Sequence, residues 1–256
     1  MRINHNITAL NNHRNMSLNN VATGKNMEKL SSGLRINRAG DDAAGLAVSE
    51  KMRGQIRGLE QAQRNVQDGI SFVQTAEGAM NEISSMLGRM KELSVQKANG
   101  TYSSSQKGNI DTELTALTDQ IDSILSKTKF NGINIAGGSV SIQADDNDVI
   151  ISISGIATAN ISGLAGTSSL SKIETAIETV STQRATLGAM QNRLEYTSNN
   201  LGTTIENLTA SESRIRDTDM AKEMVELSKN QILLQSSQAM LAQANSAPQG
   251  VLSLLR

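Results

Sequence analysis

Residues able to do chemistry are sparse in this sequence. The 256 residues include two histidines, His5 and His13, eight positions apart, and no cysteine. Without Cys the chain has no disulfide frame, no thiolate zinc or iron–sulfur site and no cysteine nucleophile. Carboxylates cluster twice, at Asp41-Asp42 and at Asp145, Asp146 and Asp148. Paired carboxylates can serve as general acid and base or hold a cation. The first pair, however, precedes an Ala-rich helical start, where a carboxylate caps free N–H groups and meets the positive end of the helix dipole. The second lies in a turn between two β-like runs, where Asp and Asn are favoured for backbone reasons. It also lacks the Gly and the later bidentate Glu of a calcium loop. Metalloprotease, phosphate-loop, nucleophile-elbow and dinucleotide patterns are absent. The residues therefore predict no catalytic site, no cofactor and no metal. Asn-X-Ser/Thr triplets at Asn6, Asn160 and Asn207 are short enough to arise by chance.

Composition narrows the partners. Net charge is −1, charged residues make up 19% and aromatics 2% of the chain, and there is one proline, Pro248. Basic residues dominate positions 1–57 and acidic ones positions 110–178. No aromatic interleaves the cations and they are spaced singly, so nucleic acid is not an expected partner. No apolar run approaches the roughly 18 residues needed to span a bilayer, and no membrane association is expected. The opening MRINHNITALNN has no apolar h-region, so a cleavable secretory signal is not expected.

The elements that would position these residues are mostly helices. From Met52 to Ser94, positions alternating by four and three (Leu59, Gln63, Val66, Ile70, Val73, Glu77, Met80, Ser84 and Leu87 among them) predict a heptad seam. Such a helix would extend on the order of 65 Å. A second seam, Ile110, Leu114, Leu117, Ile121 and Ile124, covers roughly residues 104–128. A third begins near Leu170 and runs through Ile173, Ile177, Val180, Arg184, Leu187, Gln191, Leu194 and Leu201 to Ile215. Of the eleven methionines, Met80, Met86 and Met90 fall on or near the long seam and read as core packing. Three seams on one chain imply helices packed lengthwise. Between the second and third, turn signals at Phe130-Asn131-Gly132 and Gly137-Gly138 precede the alternating runs SVSIQA (139–144) and VIISIS (149–154), which read as a β-hairpin. The Ser/Thr-rich stretch near 152–171 offers hydroxyls for O-linked sugars. The expected fold is mainly α: an elongated multi-helix, coiled-coil-like bundle with a small β-hairpin region at its tip.

The two ends resemble each other in kind. Ile3, Ile7, Leu10, Arg14, Ser17 and Val21 lie at heptad spacing, as do Met220, Met224, Leu227, Gln231, Leu234, Gln238 and Leu241. Both seams are diluted with polar residues, so each end alone should be marginal. They would gain stability by pairing with each other and with other chains.

Four blocks carry a family resemblance. LSSGLRINRAGDDAAGLAVSEKMRGQIRGL (30–59) resembles the N-terminal signature of bacterial flagellins, and LGAMQNRLEYTSNNL (187–201), ENLTASESRIRDTDMAKEM (206–224) and SQAMLAQANSAPQGVLSLLR (237–256) resemble the C-terminal one. The likeness covers roughly residues 1–135 and 170–256; the large outer domains of many flagellins have no counterpart here. It implies an N-terminal D0 helix at 1–30, a spoke at 31–44, a D1 helical rod at 45–215 with the hairpin near 130–166, and a C-terminal linker and D0 helix at 216–256. It implies a structural subunit that polymerises into the flagellar filament, leaves the cell through the flagellar export apparatus without a cleavable signal, and works extracellularly in swimming motility.

The resemblance also implies site residues. Ile3, Ile7, Leu10, Leu227, Leu234, Leu241, Val251, Leu252, Leu254 and Leu255 would form the filament core. LGRMKELSVQ (87–96) resembles the motif bound by the flagellin-sensing Toll-like receptor, which assigns Arg89 and Leu93, with Glu113 on the next helix, to receptor binding; Gly88 and Lys91 stand where Gln and Arg are commoner. The C-terminal leucines match the segment used by cytosolic flagellin receptors. Expected partners are further copies of the chain, the export chaperone, the filament cap and the hook-junction proteins. Two other readings share features with it: a hook–filament junction protein, with similar ends, and a chemoreceptor-like helical signalling hairpin, which normally carries a membrane span. The complete SQAMLAQAN…VLSLLR ending favours a flagellin.

Overall fold

The structure, a computed structural model, describes residues 6–147, 149–158, 161–164 and 169–254. Five helices carry most of it: α1 (Ile7–Ser32), α2 (Ala43–Ala98), α3 (Ser104–Lys127), α4 (Leu170–Arg216) and α5 (Met220–Leu254). Between α3 and α4 lie four short strands: β1 (Lys129–Phe130), β2 (Ile133–Asn134), β3 (Val140–Gln143) and β4 (Ile150–Ile153). The chain is thus mainly α with a small antiparallel β region, as the heptads and the alternating runs predict. No helix among the described residues is long and apolar enough to cross a membrane. Two compact units divide the chain, one from residues 1–54 and 208–256, the other from residues 55–207.

The 55–207 unit is built around large aliphatic side chains. Leu59, Val66, Val73, Met80, Ile83, Leu87 and Met90 of α2 are buried, with Ile110, Leu114, Ile121 and Leu125 of α3 and Ile173, Val180, Leu187, Leu194 and Leu201 of α4. The seams have the predicted period, but one position in each heptad differs from the prediction. Ala62, Gly69, Ala76 and Ile83 face inward where Gln63, Ile70, Glu77 and Ser84 are predicted. Likewise Thr118 and Leu125 replace Leu117 and Ile124, and Ala176 replaces Ile177. Counting apolar residues undervalues Ala, Gly and Thr. Small side chains let helices approach, and Thr118 turns its hydroxyl onto the Leu114 carbonyl at 2.9 Å. Glu77 and Arg184, both predicted seam positions, instead pair at the seam's edge, 3.9 Å apart. Lys91 meets Glu174 at 3.1 Å, so α2 and α4 run antiparallel.

Local signals fix the connections. Ser103 and Gln106 form a reciprocal capping box at the start of α3. Asn131 and Gly132 adopt positive φ (48° and 82°) and turn β1 into β2 with Phe130 opposite Ile133. The Phe130 ring meets Phe72 edge-on at 5.9 Å. β3 pairs antiparallel with β4, Ile142 opposite Ile151, in the hairpin read from the alternation. Ile142, Ile151 and Ile153 are buried while Ser141 and Ser152 face out.

The 1–54/208–256 unit contains α1, α5, the start of α2, the end of α4 and the segment joining α1 to α2. Gly33 ends α1 at φ 72°, its N–H bonded to the Lys29 carbonyl. The segment after it is tied to the α4–α5 junction: Arg35 N donates to Arg216 O at 2.6 Å, and Thr218 N donates to Gly33 O at 3.0 Å. Ile36 is buried beneath this tie. Asp42 accepts from the Gly45 N–H at 2.9 Å and caps α2, as its position predicts. Asp41 instead accepts from the backbone N–H groups of Asn37 and Arg38, which hold its carboxyl below the usual carboxylate range.

Candidate assembly and receptor surfaces

The terminal helices pair through rows that mix polar and small residues with Met16, Leu227, Leu234 and Leu241. Alternation by three and four places Ala9, Asn12, Met16, Asn19, Thr23 and Asn26 of α1 against α5, all of them buried or half-buried. From α5 the facing positions are Glu223, Leu227, Asn230, Leu234, Ser237, Leu241 and Ala244. Amides and carbonyls join the two rows. Asn6 Nδ2 donates to Ala244 O at 2.7 Å, and Asn19 Nδ2 donates to Ser237 Oγ at 3.5 Å. Asn26, 9% exposed, is the most enclosed of the set. With its nitrogen facing acceptors, it donates to Ala22 O and Glu223 Oε1 and accepts from Asn230 Nδ2 and the Leu227 N–H. Lys29 lies 3.9 Å from the same Glu223 carboxylate. Small and polar side chains bring the helices close, with Cα atoms within 8 Å along the pair.

The predicted α1 seam therefore faces the other way. Ile7, Leu10 and Val21 are exposed, Leu10 to 74%, and Leu18 joins them. On α5, Leu227, Leu234 and Leu241 do face α1, but their predicted companions Met224, Gln231 and Gln238 are exposed. Val225 and Ile232, seven apart, form an outward stripe on α5, with Leu233 and Met240 beside it. The sequence signal for the true facing row was the heptad spacing of Asn12, Asn19 and Asn26, which a search for apolar positions passes over. Ile3 and Leu255 lie outside the described residues, as do the side chains of Val251, Leu252 and Leu254.

The receptor-motif residues lie in the 55–207 unit. Arg89 Nε and Nη2 both donate to Glu113 Oε1, at 3.1 and 3.0 Å, and Nη1 donates to Glu92 Oε2 at 3.2 Å. Hydrogen bonding to Glu113 and then to Glu92 raises the guanidinium pKa, so it stays charged. Arg89, Glu92 and Glu113 make an exposed, planar charge cluster across α2 and α3. Leu93 does not share that surface: it is 2% exposed and packed in the unit's core. A leucine at a seam position is drawn inward by the same burial that orders the helix, so it can support the cluster but offers no side-chain surface to a partner. Gly88 leaves open space beside the cluster.

No group of three His, Cys, Asp or Glu side chains among the described residues is arranged to hold a metal. A cleft of about 490 Å³ between α2 and the strands is lined by Phe72, Phe130, Ile133 and Ile142, with Asp68 its single titratable side chain. Asp145 and Asp146 serve the hairpin turn, where Asp146 N donates to Asp145 Oδ1 at 2.7 Å; Asp148 lies outside the described residues, as does His5. Asn6 is engaged on both sides of its amide, capping Ala9 N and reaching Ala244 O, which fits its triplet having arisen by chance.

Comparison with known proteins gives the family. Residues 3–141 match the bacterial flagellin N-terminal helical region, and residues 170–255 match the bacterial flagellin C-terminal helical region. A flagellin of Bacillus subtilis strain 168 is 50% identical over an alignment of 304 residues, and one of Halalkalibacterium halodurans is 51% identical over 272. A flagellar filament 33 kDa core protein of Treponema phagedenis is 49% identical over 286. Each alignment covers 100% of both chains. With both family regions and full-length relatives at about half identity, the chain belongs to the bacterial flagellin family.

Proposed function

We propose that this chain is a structural subunit that polymerises into a flagellar filament for swimming motility, and that it is not an enzyme. The observation that carries the reading is the facing of the terminal pair. α1 and α5 meet through rows that mix Asn, Ala, Thr and Ser with Met16, Leu227, Leu234 and Leu241, and leave Ile7, Leu10, Leu18, Val21, Val225 and Ile232 exposed. Apolar residues at heptad spacing on the outside of a helix pair are costly unless another surface covers them. In a homopolymer the cover is another copy. The paired ends then form the inner D0 layer and the helical remainder the D1 layer, with residues 31–44 as the spoke. Electron microscopy of the purified protein under polymerising conditions tests this: long helical filaments are expected, and short caps or no polymer would sink it. A chain truncated at Gln243–Arg256 should fail to polymerise, and normal filaments from it would overturn the role given to the ends.

Within this reading the protein travels through the flagellar export apparatus with the help of its export chaperone, and meets the filament cap and hook-junction proteins during assembly. The Arg89–Glu113–Glu92 cluster supports a second role, as the exposed epitope for the flagellin-sensing Toll-like receptor. Arg89→Ala and Glu113→Ala should then weaken binding to the receptor ectodomain while filaments still form. Unchanged binding would remove the epitope. The C-terminal leucines are proposed for the cytosolic receptors.

A further inference from the structure

Burial of apolar surface is the dominant favourable term in helix pairing, so a freely rotating α1 would turn Ile7, Leu10, Leu18 and Val21 toward α5. It does the opposite, and something specific must hold it. Asn26 is the best-enclosed polar residue of the pair, and its amide engages Glu223, Asn230 and the Leu227 N–H on α5 as well as Ala22 on its own helix. Asn19 repeats the contact two turns away, on Ser237, at a longer 3.5 Å. Turning α1 by half a revolution would carry the Asn26 amide off α5 and strand Asn230 and Glu223 against apolar side chains, where unmet polar groups are penalised. A single buried Asn in a helical seam is known to specify alignment at some cost in stability.

We propose that Asn26, acting through Glu223 and Asn230, is the positioning residue that selects which face of α1 meets α5, and so keeps the apolar stripe outward for neighbouring copies. The proposal rests on the filament reading only for the use of that stripe. The facing itself can be measured separately. The chain has no Cys, so introduced thiols are the only ones present. Asn19→Cys with Ser237→Cys reads the observed face; Val21→Cys with Ser237→Cys reads the reversed one. Protein under polymerising conditions is oxidised with diamide, and the intrachain disulfide is separated from interchain ones by mobility on a non-reducing gel. The 19–237 pair should close at least tenfold faster than the 21–237 pair. Adding Asn26→Leu should bring the two rates within twofold or invert them, with helix content by circular dichroism unchanged. Asn19→Leu in place of Asn26→Leu, read with Thr23→Cys or Lys25→Cys against Leu234→Cys, should leave the preference intact. Equal rates without the Asn26 change overturn the proposal, as does a tenfold preference that survives it. Loss of both cross-links in Asn26→Leu also overturns it, because Asn26 would then hold the pair together without choosing its face. Electron microscopy of the same preparations keeps the two ideas apart: filaments with no facing preference sink the positioning role alone, and a clear preference without filaments sinks the subunit role alone.

Discussion

In the 55–207 unit, large Leu, Ile, Val and Met side chains from three helices are buried together. In the 1–54/208–256 unit, α1 and α5 approach to Cα distances within 8 Å through Ala, Asn, Thr and Ser together with Met16, Leu227, Leu234 and Leu241, while Ile7, Leu10, Leu18, Val21, Val225 and Ile232 lie outside. The first arrangement satisfies itself. The second satisfies its amides and leaves its hydrophobic stripe for a neighbour. One chain thus carries an internally packed core and a helix pair that leaves an apolar stripe exposed.

The contrast is broken most directly by truncating one apolar residue in each unit. Ile83 is fully buried, so Ile83→Ala should lower the unfolding free energy by about 2–5 kcal/mol in urea denaturation of the monomer. Leu10→Ala should change monomer stability by no more than about 0.5 kcal/mol, as an exposed substitution does. Its effect should show on polymerisation, as a raised critical concentration in sedimentation. A large monomer effect for Leu10, or none on assembly, would erase the distinction between the units.

How much of this the sequence revealed follows the same division. Heptad period located all five helices, and alternation located the β3–β4 hairpin, because large aliphatics repeat wherever a helix or strand has one buried face. Phase was less legible. Ala62, Gly69 and Ala76 were hidden because a seam admits small residues that a hydrophobicity count ignores. In α1 the difference is a whole face: Ile7, Leu10 and Val21, expected to pair, are exposed and do not meet α5. Information about which surface an apolar stripe meets resides in the assembly, whereas Asn12, Asn19 and Asn26 recorded the intrachain contact at equal spacing. Arg89 and Glu113 were found through family resemblance. Their mutual hydrogen bonds, and the burial of Leu93 beneath them, required the packing of α2 against α3.

A smaller effect sharpens the boundary at the end of α1. Gly33 holds φ 72°, where a Cβ is strained although open space surrounds it. Gly33→Ala should cost about 1–2 kcal/mol from backbone strain alone. Limited proteolysis should then cut faster at residues 33–41, while hydrogen exchange in the Ile83 region is unchanged. Faster exchange in both places would mean that the two units do not open independently.

The smallest expected effect is electrostatic and confined to the same segment. Backbone N–H groups of Arg38 and Asn37 lower the Asp41 pKa in the folded chain, whereas the unfolded chain takes up its proton near the ordinary value of about 3.9. A lowered folded pKa favours folding above that value, and the advantage disappears as pH falls through the folded one. Between pH 5 and 8 Asp41 should therefore contribute no pH dependence. Below about 4 the 37–41 turn should loosen, seen as rising exchange of the Asn37 and Arg38 amides. Asp41→Asn keeps an acceptor but cannot titrate, so it should flatten that local acid response while leaving the response of the 55–207 unit unaltered. An equal acid response in wild type and Asp41→Asn would show that these two hydrogen bonds do not set the turn's stability.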